Sequence, residues 1–78
     1  MTELQFLLLK YYYDRKSVNT HEVWEMFIRL YPQFTLEQVK DELGYLHDSL
    51  FINSTPGQYH TLGITKTGED KFKLEEFV

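Results

Sequence analysis

The sequence predicts a single α+β domain, mainly helical, in which three helices, a β-hairpin and a closing helix follow one another. Three observations carry this reading. Apolar residues recur at helical spacing as far as Leu50, three capping signatures punctuate that stretch, and from Phe51 the pattern changes to short runs of strand formers on either side of Pro56-Gly57. No repeat, low-complexity tract or linker interrupts the 78 residues. A chain this short buries only about 60% of the surface its unfolded form exposes, so its core must be dense in large side chains. Six Phe, six Tyr and one Trp supply that density.

The first helix is expected from about Glu3 to Tyr13, with Thr2 as cap and Gln5 three positions on. Leu4, Leu7, Leu8, Tyr11 and Tyr12 form its main stripe, and Phe6, Leu9 and Tyr13 a second. The second helix, about Thr20 to Tyr31, starts at Asn19 with Glu22. It turns Val23, Phe27, Leu30 and Tyr31 inward, with Trp24 and Ile28 widening the apolar face. Pro32 ends it, because the residue before proline is pushed out of the α region. The third helix, about Leu36 to Ser49, starts at Thr35 with Gln38 and buries Leu36, Val39, Leu43, Leu46 and Leu50 on a narrow seam. Met1 with Phe6, Val18 with Val23, and Phe34 with Val39 are placed to clamp the three helix starts as hydrophobic staples. Only Gln33 to Thr35 link the second and third helices after Pro32, which forces a tight helix-turn-helix.

Phe51 to Ser54 and Tyr59 to Leu62 then read as two strands about a type II turn, with Gly57 supplying the positive φ. Thr65 is the expected cap of the last helix, where Glu69 and Lys73 stand in the favourable i, i+4 order and Phe72 with Phe77 gives a partial apolar face.

Several chemistries have no residues to carry them. The chain has no cysteine, so disulfides, thiolate metal sites and thiol catalysis are excluded. His21, His47 and His60 lack ligand spacing, and adjacent carboxylates such as Asp41 and Glu42 point about 100° apart on a helix and cannot form a dyad. There is no glycine-rich phosphate loop and no nucleophile elbow. The expectation is a protein that is not an enzyme and carries no cofactor or metal. The start of the chain lacks a basic n-region, and its apolar run Phe6 to Leu9 is too short for a signal peptide or a membrane span. A cytoplasmic domain without membrane association is expected.

The stretch Thr35-Leu36-Glu37-Gln38-Val39, Leu43-Gly44-Tyr45-Leu46 and Leu50-Phe51-Ile52, then Tyr59 and Ile64-Thr65-Lys66-Thr67-Gly68, resembles the winged helix-turn-helix family over nearly the whole chain. The resemblance implies a three-helix core, a hairpin wing and a C-terminal helix. It also implies DNA binding, with the third helix in the major groove and the wing on the adjacent backbone or minor groove. Carried onto this chain, the base-facing candidates are Gln38, Asp41, Glu42, Tyr45 and His47, with Thr55, Gln58 and His60 on the wing.

Charge points the other way. Duplex affinity rests on neutralising phosphates with Lys and Arg. From Thr35 to Thr65 the chain has one basic residue, Lys40, against Glu37, Asp41, Glu42 and Asp48, a balance of −3 within a formal total of −4. The wing, Phe51 to Thr65, has no Lys or Arg. Two readings follow. In the first, a non-enzymatic regulatory module engages a protein partner through Glu37, Gln38, Lys40, Asp41, Glu42, Tyr45, His47 and Asp48 and the wing. In the second, a transcriptional regulator binds double-stranded DNA with Gln38, Lys40, Tyr45, His47 and the wing. The local charge favours the protein partner. A carboxylate mimic of nucleic acid is a third class, thinly supported by four acids on one helix.

Two features stay open at this level. Gly44 inside the third helix costs about 1 kcal/mol relative to Ala, which calls for close approach of another backbone or for a bend. The apolar surplus at Phe6, Leu9 and Tyr13, with Trp24 and Ile28 on the second helix and Phe72 and Phe77 on the last, marks either a fully buried central helix or an exposed patch used for association. The second would make a homodimer through Phe6, Leu9, Tyr13, Phe72 and Phe77 of the first and last helices. Basic residues near Lys10, Arg15 and Lys16, and at Lys66, Lys71 and Lys73, read as dipole-complementing and solubilising charge.

Overall fold

The structure is a computed structural model and describes residues 1–55, 57 and 60–76. The expectations for Gln58 on the wing, for Phe77 in the last helix, and for the turn and strand residues Pro56 and Tyr59 lie outside the described residues. The described chain is α+β and mostly helical, with four helices and a three-stranded antiparallel sheet. Helix α1 spans Glu3–Arg15 and strand β1 spans Ser17–Asn19. Helix α2 occupies residues 20–30, α3 spans Leu36–Asp48, β2 Ile52–Ser54, β3 Thr61–Ile64, and α4 Lys66–Glu76. Among the described residues no helix is long and apolar enough to cross a membrane.

Two helix starts have the complete capping box that their spacing predicts. Thr2 and Thr35 each accept from the backbone N–H three residues on, while Gln5 and Gln38 accept back from the cap N–H. Asn19 also caps its helix, but its side chain accepts from the N–H of His21, without a reciprocal bond from Glu22. The interior of α2 departs further. Its middle turn, Val23–Phe27, is π-helical, a wider turn than an α-helix makes. Residues four apart, Val23, Phe27 and Tyr31, therefore share the inner side, and Leu30, expected in the core, is exposed.

The link after α1 becomes the edge strand β1. The sheet order is β1-β3-β2, with Val18 opposite Leu62 and Ile52 opposite Ile64. Strand alternation puts Val18, Ile52, Leu62 and Ile64 on the helix side, and Ser17, Asn53 and Gly63 on the outer side. β3 spans Thr61–Ile64, so His60, expected within the second strand, precedes it, and the strand runs past the expected Leu62.

Helix α1 lies at the centre. Leu4, Leu8, Leu9, Tyr11 and Tyr12 are buried, and half-buried Phe6 and Tyr13 stack on buried Phe72 of α4 at centroid distances of 5.3 and 4.5 Å. Four of the residues weighed as a dimer interface thus pack within the chain: Leu9 and Phe72 are core, and Phe6 and Tyr13 cover Phe72. The phenol of Tyr12 is fully buried, its hydroxyl has no hydrogen-bond partner among the described residues, and desolvation raises its pKa.

Two leucines of the expected α3 seam are also exposed. Leu36 sits at the helix start, and Leu50 takes a left-handed φ of 63° just past the end. There the N–H of Leu50 donates to the carbonyl of His47 and that of Phe51 to the carbonyl of Leu46. This closure of a helix C-terminus turns its left-handed residue outward. Close backbone approach occurs at Gly68 of α4 instead of Gly44. A Cβ on Gly68 would overlap the Phe51 carbonyl oxygen and lie 3.0 Å from Ile64 Cγ1, whereas one on Gly44 meets nothing within 4 Å. Gly68 N–H donates to Thr65 Oγ1, the expected cap, and Thr65 N–H donates to the Phe51 carbonyl.

Candidate binding surface on the third helix

Helix α3 buries Val39, Leu43 and Leu46 and leaves its other sides to solvent. At 100° per residue, Glu37, Asp41 and Asp48 fall within about 40° of one another, roughly opposite that seam. All three are exposed. They form an acidic ridge along the outermost line of the helix, with Tyr45, 46% exposed, beside it. Glu42 belongs elsewhere. It is half-buried on the flank facing α1, where Gln5 Nε2 donates to its carboxylate at 2.7 Å. Gln38 lies on the same flank, where its side chain closes the capping box with Thr35. Thr2, Glu3, Leu4, Phe34, Gln38, Asp41 and Glu42 line a shallow depression of about 320 Å³ there.

The opposite flank of α3 faces α2 and the sheet. Lys40, Leu43, Gly44 and His47 join Thr20, Trp24 and Leu62 around a second depression of about 300 Å³, whose surface is mainly apolar. Lys40 Nζ stands 4.5 Å from the centroid of the Trp24 ring, and His21 packs edge-on against the same ring at 5.1 Å. His60, with a φ of 60°, stands beside His21 at 6.4 Å, and its carbonyl accepts from Thr20 N–H. The expected wing residue His60 is thus brought to the start of α2. Thr55 is not brought to α3, because its hydroxyl shares a hydrogen bond with Ser17 across the outer side of the sheet. Asp48 lies 3.9 Å from His47 Nδ1, a pair that carries opposite charges only when the imidazole is protonated.

Four of the other basic residues, Arg15, Lys16, Lys66 and Lys71, are engaged within the chain. Arg15 stacks over Tyr11 at 3.7 Å, and Lys16 lies over Tyr13 and 3.6 Å from Glu69. Glu69, expected to pair with Lys73, therefore reaches across to the end of α1. On α4 the i, i+4 pairs are Lys66 with Asp70 and Lys71 with Glu75. Their hydrogen bonds raise the Lys66 pKa and lower that of Glu75. Among the described residues no cluster of three or more His, Asp or Glu side chains is arranged to hold a metal ion.

No family model, curated protein or solved structure matches this chain. The candidate surface therefore rests on its own geometry. It brings together Glu37, Asp41, Tyr45 and Asp48 as a ridge and Lys40 and His47 as its flank, and sets Glu42 and Thr55 apart from both. Thr20 and Leu62 were not among the sequence candidates, and Trp24 was one only as part of the apolar surplus, since an apolar residue on a helix or strand reads first as core. The usable signal was the row Lys40, Gly44, His47, spaced i, i+4, i+7 with a glycine where nothing needs one.

Proposed function

We propose that the chain is a non-enzymatic winged helix-turn-helix module that docks a basic surface of a partner protein on α3. The order helix, strand, helix, tight turn, helix, hairpin, helix supports the family reading, as does the way the hairpin is completed by the strand between the first two helices. The observation that carries the partner class is the ridge of Glu37, Asp41 and Asp48, opposite the core seam, on the helix that a DNA-reading member would press into the major groove. Three carboxylates there repel phosphates and attract Lys and Arg. The competing reading, a DNA-binding regulator, draws on Lys40 and His47 on the flank nearest the sheet.

Titration of the 15N-labelled protein separates the two. An oligolysine peptide at low salt is expected to shift the amides of Glu37, Asp41 and Asp48, and the shifts should vanish in Asp41→Lys/Asp48→Lys. A mixed-sequence duplex is expected to leave residues 37 to 48 unmoved. Salt-sensitive shifts there with the duplex, and none with oligolysine, would replace the proposal by the DNA reading.

A further inference from the structure

We infer that the depression beside Gly44 is an anchor pocket for a basic amphipathic segment of the partner, which seats one large apolar side chain there while its Lys or Arg residues pair with the ridge. The inference rests on the proposed docking role of that ridge. Gly44 gives the first reason. It sits in the middle of α3, where glycine costs about 1 kcal/mol relative to alanine. Its backbone is not left-handed, and a Cβ would meet nothing within 4 Å. Neither conformation nor packing inside the chain requires glycine. What the missing side chain leaves is open space on the outside, at the margin of the depression.

The walls supply the second reason. Trp24, Leu43 and Leu62 offer apolar surface in a volume of about 300 Å³, and Lys40 closes one side of it by setting its ammonium over the Trp24 ring, 4.5 Å from the centroid. Aromatic surface at a rimmed depression is what anchors a bound segment. The third reason is position. Asp41 and Asp48 stand three before and four after Gly44, and Lys40 and His47 four before and three after, so Gly44 lies where the acidic ridge meets the apolar depression. A helical segment with an apolar residue on one side and basic residues beside it satisfies both at once, the helix-in-groove mode of recognition. The three ridge carboxylates outnumber the single ammonium of Lys40, which sets the sign of the partner.

Trp24 is the chain's one tryptophan, so its emission reports on the pocket directly. The experiment selects short random peptides displayed on phage against the whole chain, then measures the selected peptides by Trp24 fluorescence and NMR shifts on three proteins: the parent, Gly44→Leu, which fills the pocket, and Asp41→Lys/Asp48→Lys. Leucine is a good helix former, and circular dichroism checks that Gly44→Leu stays folded. The expected result is peptides with one large apolar residue flanked by Lys or Arg, which shift Trp24 and bind Gly44→Leu about tenfold or more weakly. The charge-reversed protein should also lose them. Basic peptides that bind the parent and Gly44→Leu equally would overturn the pocket and leave the ridge standing. Apolar peptides indifferent to the charge reversal would overturn both. Failure to enrich any peptide, or a dimer of the chain that Gly44→Leu dissolves, would overturn the assigned occupant, as would salt-dependent duplex binding that moves Trp24.

Discussion

Replacing Gly44 and Gly68 by alanine, one at a time, makes the same chemical change in two helices with opposite expected consequences. At Gly44 the added methyl meets nothing within 4 Å, so only helix propensity acts, and stability should rise by up to about 1 kcal/mol. At Gly68 the methyl would overlap the Phe51 carbonyl oxygen and come within 2.9 Å of its carbon and 3.0 Å of Ile64 Cγ1. Backbone cannot rotate away as a side-chain tip can, so the start of α4 must lift. That strains the bonds from Thr65 N–H to the Phe51 carbonyl and from Gly68 N–H to Thr65 Oγ1, each 3.0 Å. Overpacking of this kind costs typically about 1–3 kcal/mol, and at the third position of a helix the propensity gain offsets little of it. With a urea slope near 1 kcal/mol per molar for a chain this small, the unfolding midpoint should rise by up to about 1 M for Gly44→Ala. For Gly68→Ala it should fall by about 1 M or more. Equilibrium urea unfolding followed by far-UV circular dichroism reads both. Midpoints that move in the same direction would refute the contrast between open and closed glycine sites.

Phe72→Ala removes the ring on which Phe6 and Tyr13 stack and should cost about 3–5 kcal/mol, measured by the same urea transition. Leu50→Gly should raise stability by roughly 1 kcal/mol, because an exposed leucine at a φ of 63° carries left-handed strain that glycine does not. The buried Tyr12 phenol has its pKa raised, first by desolvation and then by Tyr11 and Glu22. The unfolded chain therefore loses this proton first as pH climbs past about 10, while the folded chain keeps it. Its contribution to stability is full below that pH and is lost progressively above it, which thermal melts from pH 8 to 11 should record. Tyr12→Phe should flatten that loss and, by removing a buried hydroxyl without a partner among the described residues, raise neutral-pH stability by about 1 kcal/mol.

Local chemistry was readable where it acts over a few residues. The Thr2 and Thr35 boxes, the Pro32 stop and the Thr65 cap each depend on neighbours three or four positions away, and the structure has them as expected. What depended on remote partners was not readable. The π turn at Val23–Phe27, which exposes Leu30, leaves no local sequence mark. Leu50 carries the apolar spacing of the seam and is turned out by the left-handed closure of α3. Gly44 and Gly68 look alike in sequence, and only the crossing of α4 over Phe51 separates them. On the candidate surface, the exposure of Glu37, Asp41 and Asp48 followed from helical phase alone. Glu42 shares their chemistry but is drawn to Gln5, thirty-seven residues earlier, a contact no spacing rule contains.

The order β1-β3-β2 makes the strand that is last in sequence the middle one, and α1 packs its aromatic side on Phe72 near the other end of the chain. During synthesis, Ser17–Asn19 and Ile52–Ser54 emerge from the ribosome with no strand to pair with until Thr61–Ile64 follows. Phe6 and Tyr13 wait longer still for their cover. A nascent chain stopped before residue 61 would present bare aromatic rings and two unpaired strands to chaperones and proteases, and one stopped between residues 64 and 72 would present the rings with the sheet already paired.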